Sequence, residues 1–193
     1  MADSSVRPAR LVDVDDLVAV QLRALATLPG DVWPLPDVDS LDAGAMTRSW
    51  ERAVLLPPSG HHHVLVATAG DVLVGLAVVE PAGDPDFGGT DEHDRPAASR
   101  VAEVTLLVVD PEARGLGHGS RLLSAVADVS AAAGVTELVT WLPAPDDDAR
   151  RFLAETGWAP DGAHRSVEVE RFDGSTRTVR ELRYATLLDV AGS

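Results

Sequence analysis

The chain has 193 residues, 45% hydrophobic and 24% charged, which suits one globular domain and argues against a disordered chain. Its formal net charge of −15 repels nucleic-acid phosphates, so no nucleic-acid partner is expected, whereas a cationic amine is compatible with that field. The absence of cysteine excludes disulfides, Cys-ligated zinc and a thiol nucleophile, and because all sixteen basic residues are arginine there is no Schiff-base or P-loop lysine.

Residues 6–10 read as a short first strand. Asp13 then suits a helix N-cap, with Asp15 and Asp16 in the first turn, where negative charge complements the helix dipole. Leu17, Val20, Leu25 and Leu28 share one face and predict an amphipathic helix over 13–28, stopped by Pro29-Gly30. A loop with Pro and Trp covers 31–37, and a second helix covers 41–56 before Pro57-Pro58. Strands at 63–69 and 72–80 flank Gly70-Asp71, a tight hairpin signal. Residues 81–99 hold three prolines, Gly88-Gly89 and a run of acids, and are expected to form a mobile surface loop.

The most apolar strand is predicted at 101–109, ended by Asp110-Pro111. A helix follows over 117–133, with Leu122, Leu123, Val126 and Val129 as its apolar stripe and Gly134 beyond its end. A strand at 137–142, a short helix at 146–156 stopped by Gly157, and an antiparallel pair at 165–171 and 178–187 around Asp173-Gly174 complete the chain. The expected fold class is α/β (α+β): one domain over 1–193, with a mixed, mostly antiparallel six- to seven-stranded sheet and helices on both faces. The strand–helix–strand unit over 101–142 should be a parallel crossover.

No apolar run approaches the ~20 residues of a membrane span, and residues 1–10 lack a signal-peptide core. A cytoplasmic protein without a membrane partner is therefore expected.

The chemistry concentrates where the strand at 101–109 runs into a glycine-rich turn that opens a helix. Gly115, Gly117 and Gly119 carry no side chains, so main-chain N–H groups can approach a ligand closely. The helix start adds unpaired N–H groups and a positive dipole end, and Arg114 adds a full charge; together they favour a phosphate or pyrophosphate. A P-loop is excluded because Gly-Lys-Ser/Thr is absent. The dinucleotide fingerprint fits poorly: Ser120 or Leu122 stands where its last glycine belongs, and Glu137 begins its strand where the ribose-binding acid should end one. A turn without a ligand is the bland alternative.

The same stretch resembles motif A of the GNAT (GCN5-related N-acetyltransferase) superfamily: an apolar strand, Val109-Asp110-Pro111, then Arg114-Gly115-Leu116-Gly117-His118-Gly119. Downstream, Asp146, Ala149, Phe152, Gly157 and Trp158 fall at the spacing of the family's motif B. The motifs cover 101–158, and the element order fits throughout.

The resemblance implies acetyl-CoA as co-substrate, with no metal. Its pyrophosphate would lie on the turn formed by Arg114, Gly115, Leu116, Gly117, His118, Gly119 and Ser120. Its pantetheine arm would pair with Leu107, Val108 and Val109, opposite the strand at 137–142, and a main-chain N–H near Leu107 would polarise the thioester carbonyl. Glu103 stands where many members carry a strand glutamate that accepts the amine proton through water. Leu153 replaces the motif B tyrosine that serves as general acid, and Asp146 replaces the motif's asparagine. Tyr184, the chain's sole tyrosine, is the remaining candidate catalytic residue, although core or sheet-surface packing also explains it.

The implied function is acetyl transfer to a primary amine, on a small molecule or peptide, by direct attack. A catalytically silent CoA-binding module and a different nucleotide-binding enzyme remain open beside it. Many members dimerise, so the resemblance admits a homodimer that the sequence itself does not show.

Other residues have simpler explanations. His61, His62 and His63 enter a strand and point to alternate faces, so they cannot converge on one ion. Trp33 and Trp50 fall in the region that the resemblance assigns to the acceptor pocket, but core packing is the simpler explanation for both, and Trp141 and Trp158 are expected in the core. Asp146, Asp147 and Asp148 suit a helix N-terminus.

Overall fold

The computed structural model describes residues 4–30, 32–33, 41–83, 101–170 and 175–189. Residues 84–99 of the expected loop, 34–37 of the earlier loop and the Asp173-Gly174 turn lie outside the described residues. Seven strands form one sheet: β1 (Ser4–Pro8), β2 (His63–Ala69), β3 (Val72–Pro81), β4 (Val101–Val109), β5 (Glu137–Pro143), β6 (Ala159–Glu170) and β7 (Thr176–Leu187). Among the described residues, four α-helices accompany them: α1 (Val14–Leu25), α2 (Ala43–Leu55), α3 (His118–Ala132) and α4 (Asp147–Glu155). The strand order is β1-β2-β3-β4-β5-β7-β6, and β4–β5 is the parallel pair. The expected fold class and the parallel crossover through α3 are both present.

Alternation along the strands sorts the core into two layers. Val66 and Leu76 join Val14, Leu17, Val20 and Trp50 under α1 and α2. Leu65, Ala77, Val79, Ala102 and Val104 pack on the other face with Leu122 and Val126 of α3, and with Leu153, Trp158 and Tyr184. Leu17, Leu65, Leu76 and Leu122 are at most 2% exposed, so each contributes about 1.5–3 kcal/mol of burial.

Several boundaries differ from the sequence reading. β1 starts two residues earlier, and Asp13 sits at the helix start but does not cap it. Its carboxylate instead takes Arg7 Nη1 and Nη2 at 2.7 and 2.8 Å and the Arg10 amide at 2.7 Å. Pro81, assigned to a loop, ends β3. β6 begins at Ala159 rather than 165, because Ala159 and Pro160 already pair with β7 before the register shifts ahead of His164.

Candidate active site

Two strand irregularities shape the site. In the β3–β4 ladder, Val78 pairs with Leu106 and Val79 with Val104, so Thr105 is the extra residue of a bulge. The bulge resets the alternation of β4. Glu103 therefore shares the α1/α2 face with Leu106 and Val108, while Leu107 and Val109 pack on the α3 side. On its other edge β4 pairs with β5 only from Val101↔Glu137 to Glu103↔Val139. The Thr140 hydroxyl donates to the Val104 carbonyl at 2.8 Å, and past that point the two strands have no paired register. A cleft thus opens between β4 and β5, with the edge of Leu107–Val109 facing it.

At the wide end of this cleft β4 passes through Asp110 and a short 3-10 turn, Pro111–Ala113, into the glycine-rich segment. Asp110 is buried; its Oδ2 takes Arg23 Nε at 2.8 Å and its Oδ1 takes the Glu112 amide at 3.1 Å. This pins the strand end to α1. Gly115 and Gly117 have φ of +75° and +81°, a region that only glycine enters without strain. Gly119 is needed for another reason: a Cβ there would stand 3.0 Å from Phe152 Cζ. The two motifs are therefore in direct contact.

Residues 114–117 and Ser120 are exposed, and Leu116 is 63% exposed. Among the described residues, no protein acceptor is seen for the amides of 115–120, the start of α3. Arg114 Nη2 donates to Thr27 Oγ1 at 3.0 Å, and Arg121 Nη1 to the Leu116 carbonyl at 3.0 Å. His118 is the exception in the turn, with a buried ring whose Nδ1 has no protein partner. An exposed arc of free amides beside two guanidinium groups can hold an anion of diphosphate type.

On the α1/α2 face, beyond the cover of those helices, lies a pocket of about 190 Å³. Glu103, Val139, Trp141, Arg165 and Arg183 line it, with Ala82 and Gly83 at the end of β3. Burial pushes the Glu103 carboxyl above its ordinary value. Arg165 opposes this, Glu80 and Glu181 add to it, and Arg183 opposes it.

A sequence model of the acetyltransferase (GNAT) family matches residues 24–158. The chain belongs to this family. A mycothiol acetyltransferase of Salinispora tropica is 30% identical over 165 residues, covering 77% of this GNAT chain and 54% of the relative. The chain thus spans about half the length of that relative. The Salmonella typhimurium protein yncA, solved with acetyl-CoA, superposes with a TM-score of 0.68 at 19% identity, covering 98% of this chain and 96% of its own. A ribosomal-protein-alanine N-acetyltransferase of Brucella melitensis gives a TM-score of 0.69 at 20% identity, covering 95% and 99%. At these identities the likeness is one of fold.

Within the GNAT chain the predicted residues separate into four places. Leu107, Val108 and Val109 lie at the cleft edge, and Arg114, Gly115, Leu116, Gly117, His118, Gly119 and Ser120 form the turn. Glu103 lies in the pocket. Tyr184 lies elsewhere: paired with Thr140 on the α3/α4 face and 4% exposed, it accepts a hydrogen bond from Arg150 Nε at 3.1 Å. Glu103 and Tyr184 are thus on opposite faces of the sheet. Leu153 is buried in the same cluster as Tyr184. Asp146 caps α4 through the Ala149 amide, and its Oδ2 takes Trp33 Nε1 at 2.7 Å, which ties the segment after α1 to the start of α4. Trp50 is buried and donates to Gln21.

Trp141 is a correction. It was expected in the core, but it lines the pocket, because α1 and α2 pack on the β1–β4 half of that face and, among the described residues, no helix covers Trp141. Arg165 and Arg183 were missed. The available signal was their strand parity, since Arg183 pairs directly with Trp141 and Arg165 with Glu181. His62 Nδ1 meets Ser59 Oγ at 2.9 Å, while His63 Nε2 is buried without a partner. Among the described residues, no group of three or more His, Asp or Glu side chains converges.

Proposed function

We propose that this chain is an acetyl-CoA-dependent N-acetyltransferase that acts on a primary amine. The single observation that carries the reading is the β4–β5 cleft ending in an exposed arc of unpaired amides. In this reading the 114–120 turn, with Arg114, holds the pyrophosphate of the co-substrate. The pantetheine arm lies along Leu107, Val108 and Val109 as an added strand, and a main-chain N–H near Leu107 donates to the thioester oxygen. The chain 1–193 acts as one catalytic domain.

The acceptor enters from the α1/α2 face, where Glu103 takes a proton from the ammonium directly or through one water. The freed amine attacks the thioester carbon to give a tetrahedral intermediate, its nitrogen gives up a second proton to solvent, and the C–S bond breaks to leave the amide and the CoA thiolate. Because the chain has no cysteine, no acyl-cysteine route competes. The thiolate, with an unperturbed pKa of ~8.5, takes its proton from solvent. Tyr184 is held by Arg150 and fastens α4 to β7 rather than touching the acceptor.

The test is thiol release from acetyl-CoA with a panel of amines, beside calorimetric titration with CoA. The expected result is saturable CoA binding, weakened at least about tenfold in Arg114→Ala, and turnover with part of the panel. Absence of both binding and turnover would reject the reading. One observation favours a second reading, a CoA-binding module without catalysis: Leu153 is buried where the family's acid stands. Tight CoA binding with no turnover on any amine or peptide would favour that alternative.

A further inference from the structure

Among the described residues, the pocket beside Glu103 contains two guanidinium groups whose outer donors meet no protein acceptor. Arg165 lies over the Trp141 ring, 4.3 Å from its centroid, and Arg183 stands 5.7 Å from the same ring. Each is anchored through Nε: Arg165 to Glu181 Oε2 and Arg183 to Asp161 Oδ2, both at 2.6 Å. Among the described residues, the η nitrogens of neither meet a protein acceptor. Each arginine is thus oriented by its inner nitrogen and held against the Trp141 ring, and both line the cavity.

A guanidinium fork matches a carboxylate, which can take two parallel N–H donors. Two cations lining a cavity of about 190 Å³ also work against a second positive charge on the ligand. In a chain of net charge −15, an acceptor site built only for a cationic amine has no need of them. Among the described residues, the other charges around the cavity are Glu103 on β4, its register partner Glu80, and the anchoring acids Glu181 and Asp161. The carboxyl of Glu103 thus stands on one wall and the two guanidinium forks on another, an arrangement for a ligand with both signs of charge.

We propose that the acceptor is a small amino carboxylate, a free amino acid or short peptide, whose carboxylate is gripped by Arg165 and Arg183 while its amine faces Glu103. Trp141 supplies the apolar floor on which the rest of the molecule lies. This inference rests on the acetyltransferase reading and on the pocket being its acceptor side.

The test uses the full chain, acetyl-CoA, and a set of L-amino acids and dipeptides, each compared with its decarboxylated amine and its C-terminal amide. The expected result is a higher kcat/KM for the carboxylated member of each set. Arg183→Ala should lower the ratio of kcat/KM for the carboxylated acceptor to that for its decarboxylated partner at least about tenfold, through KM. Arg165→Ala should act in the same direction. Arg183→Lys keeps the charge but loses the fork, so it should restore only part of the ratio even if Arg183→Ala folds poorly. Equal or better turnover of the decarboxylated amines, or variants that change both members alike, would overturn this inference alone. Absence of thiol release with every amine, together with absence of CoA binding, would instead overturn the acetyltransferase reading beneath it.

Discussion

Thr140 of β5 reaches across to the Val104 carbonyl of β4 at 2.8 Å, immediately past the last paired position of the two strands. This bond sits at the apex of the cleft. Thr140→Val keeps the shape and removes the donor. It should cost about 1 kcal/mol, the usual net value of such a bond. For a chain of this size that corresponds to a fall in Tm of about 2–4 °C, readable by calorimetry. An unchanged Tm would show that the apex is held by other contacts.

Gly119→Ala tests the contact between the turn and α4. In an exposed helix the change stabilises by about 1 kcal/mol. Here the new Cβ would stand 3.0 Å from Phe152 Cζ and 3.4 Å from Cε2, so the sign should reverse. A loss of about 1–3 kcal/mol is expected by chemical denaturation, with weaker CoA binding. Adding Phe152→Leu should recover part of it; a neutral or stabilising Gly119→Ala would sink the argument.

Glu103 gives a pH signature. Burial raises its carboxyl, so the folded state keeps a proton that the unfolded state has lost. Its contribution to stability therefore falls as pH rises from the ordinary carboxylate value to the raised one. Glu103→Gln should flatten that slope. As the proposed base it must be ionised, so kcat/KM should climb over the same interval. The variant should lower kcat by ~10²–10⁴-fold and lose that limb of the profile. A pH–rate profile identical in both proteins would remove Glu103 from proton transfer.

Asp13 and Asp110 act with the opposite sign. Hydrogen bonds from Arg7 hold Asp13 below its usual range against the effect of burial. At Asp110 burial pulls upward, but Arg23 and the Glu112 amide outweigh it. Both contributions are present above the ordinary carboxylate value and vanish as pH falls through the depressed ones. Asp13→Asn should cost about 1–3 kcal/mol near neutrality. Most of that difference should disappear in denaturation curves run well below the ordinary carboxylate range. A constant difference across both conditions would contradict the assignment.

Element order was legible because the apolar runs at 63–69, 72–80 and 101–109 and the Pro and Gly stops leave few other readings. What escaped depends on tertiary placement. Nothing local distinguishes Asp13 as a cap from Asp13 as the partner of an arginine on a neighbouring strand. The polar start of β6, with Asp161, Gly162 and His164, hides a strand whose pairing is supplied by β7. Trp141 looks apolar enough for a core, and only the reach of α1 and α2 shows that it lines a pocket instead. Glu103 was found through the family motif, whereas Arg165 and Arg183 became visible only once strand register set them around that tryptophan.

The brevity of the β4–β5 ladder has a mechanical consequence. Three rungs and one hydroxyl stitch the half-sheet β1–β4 to the half-sheet β5–β7. A molecule threaded into the gap, as the proposed function has it, would take over the missing stitches and make the rigidity of the scaffold depend on occupancy. Its amides along that seam should exchange with solvent fastest when the gap is vacant, and the protein should be stiffest when its reactants are in place.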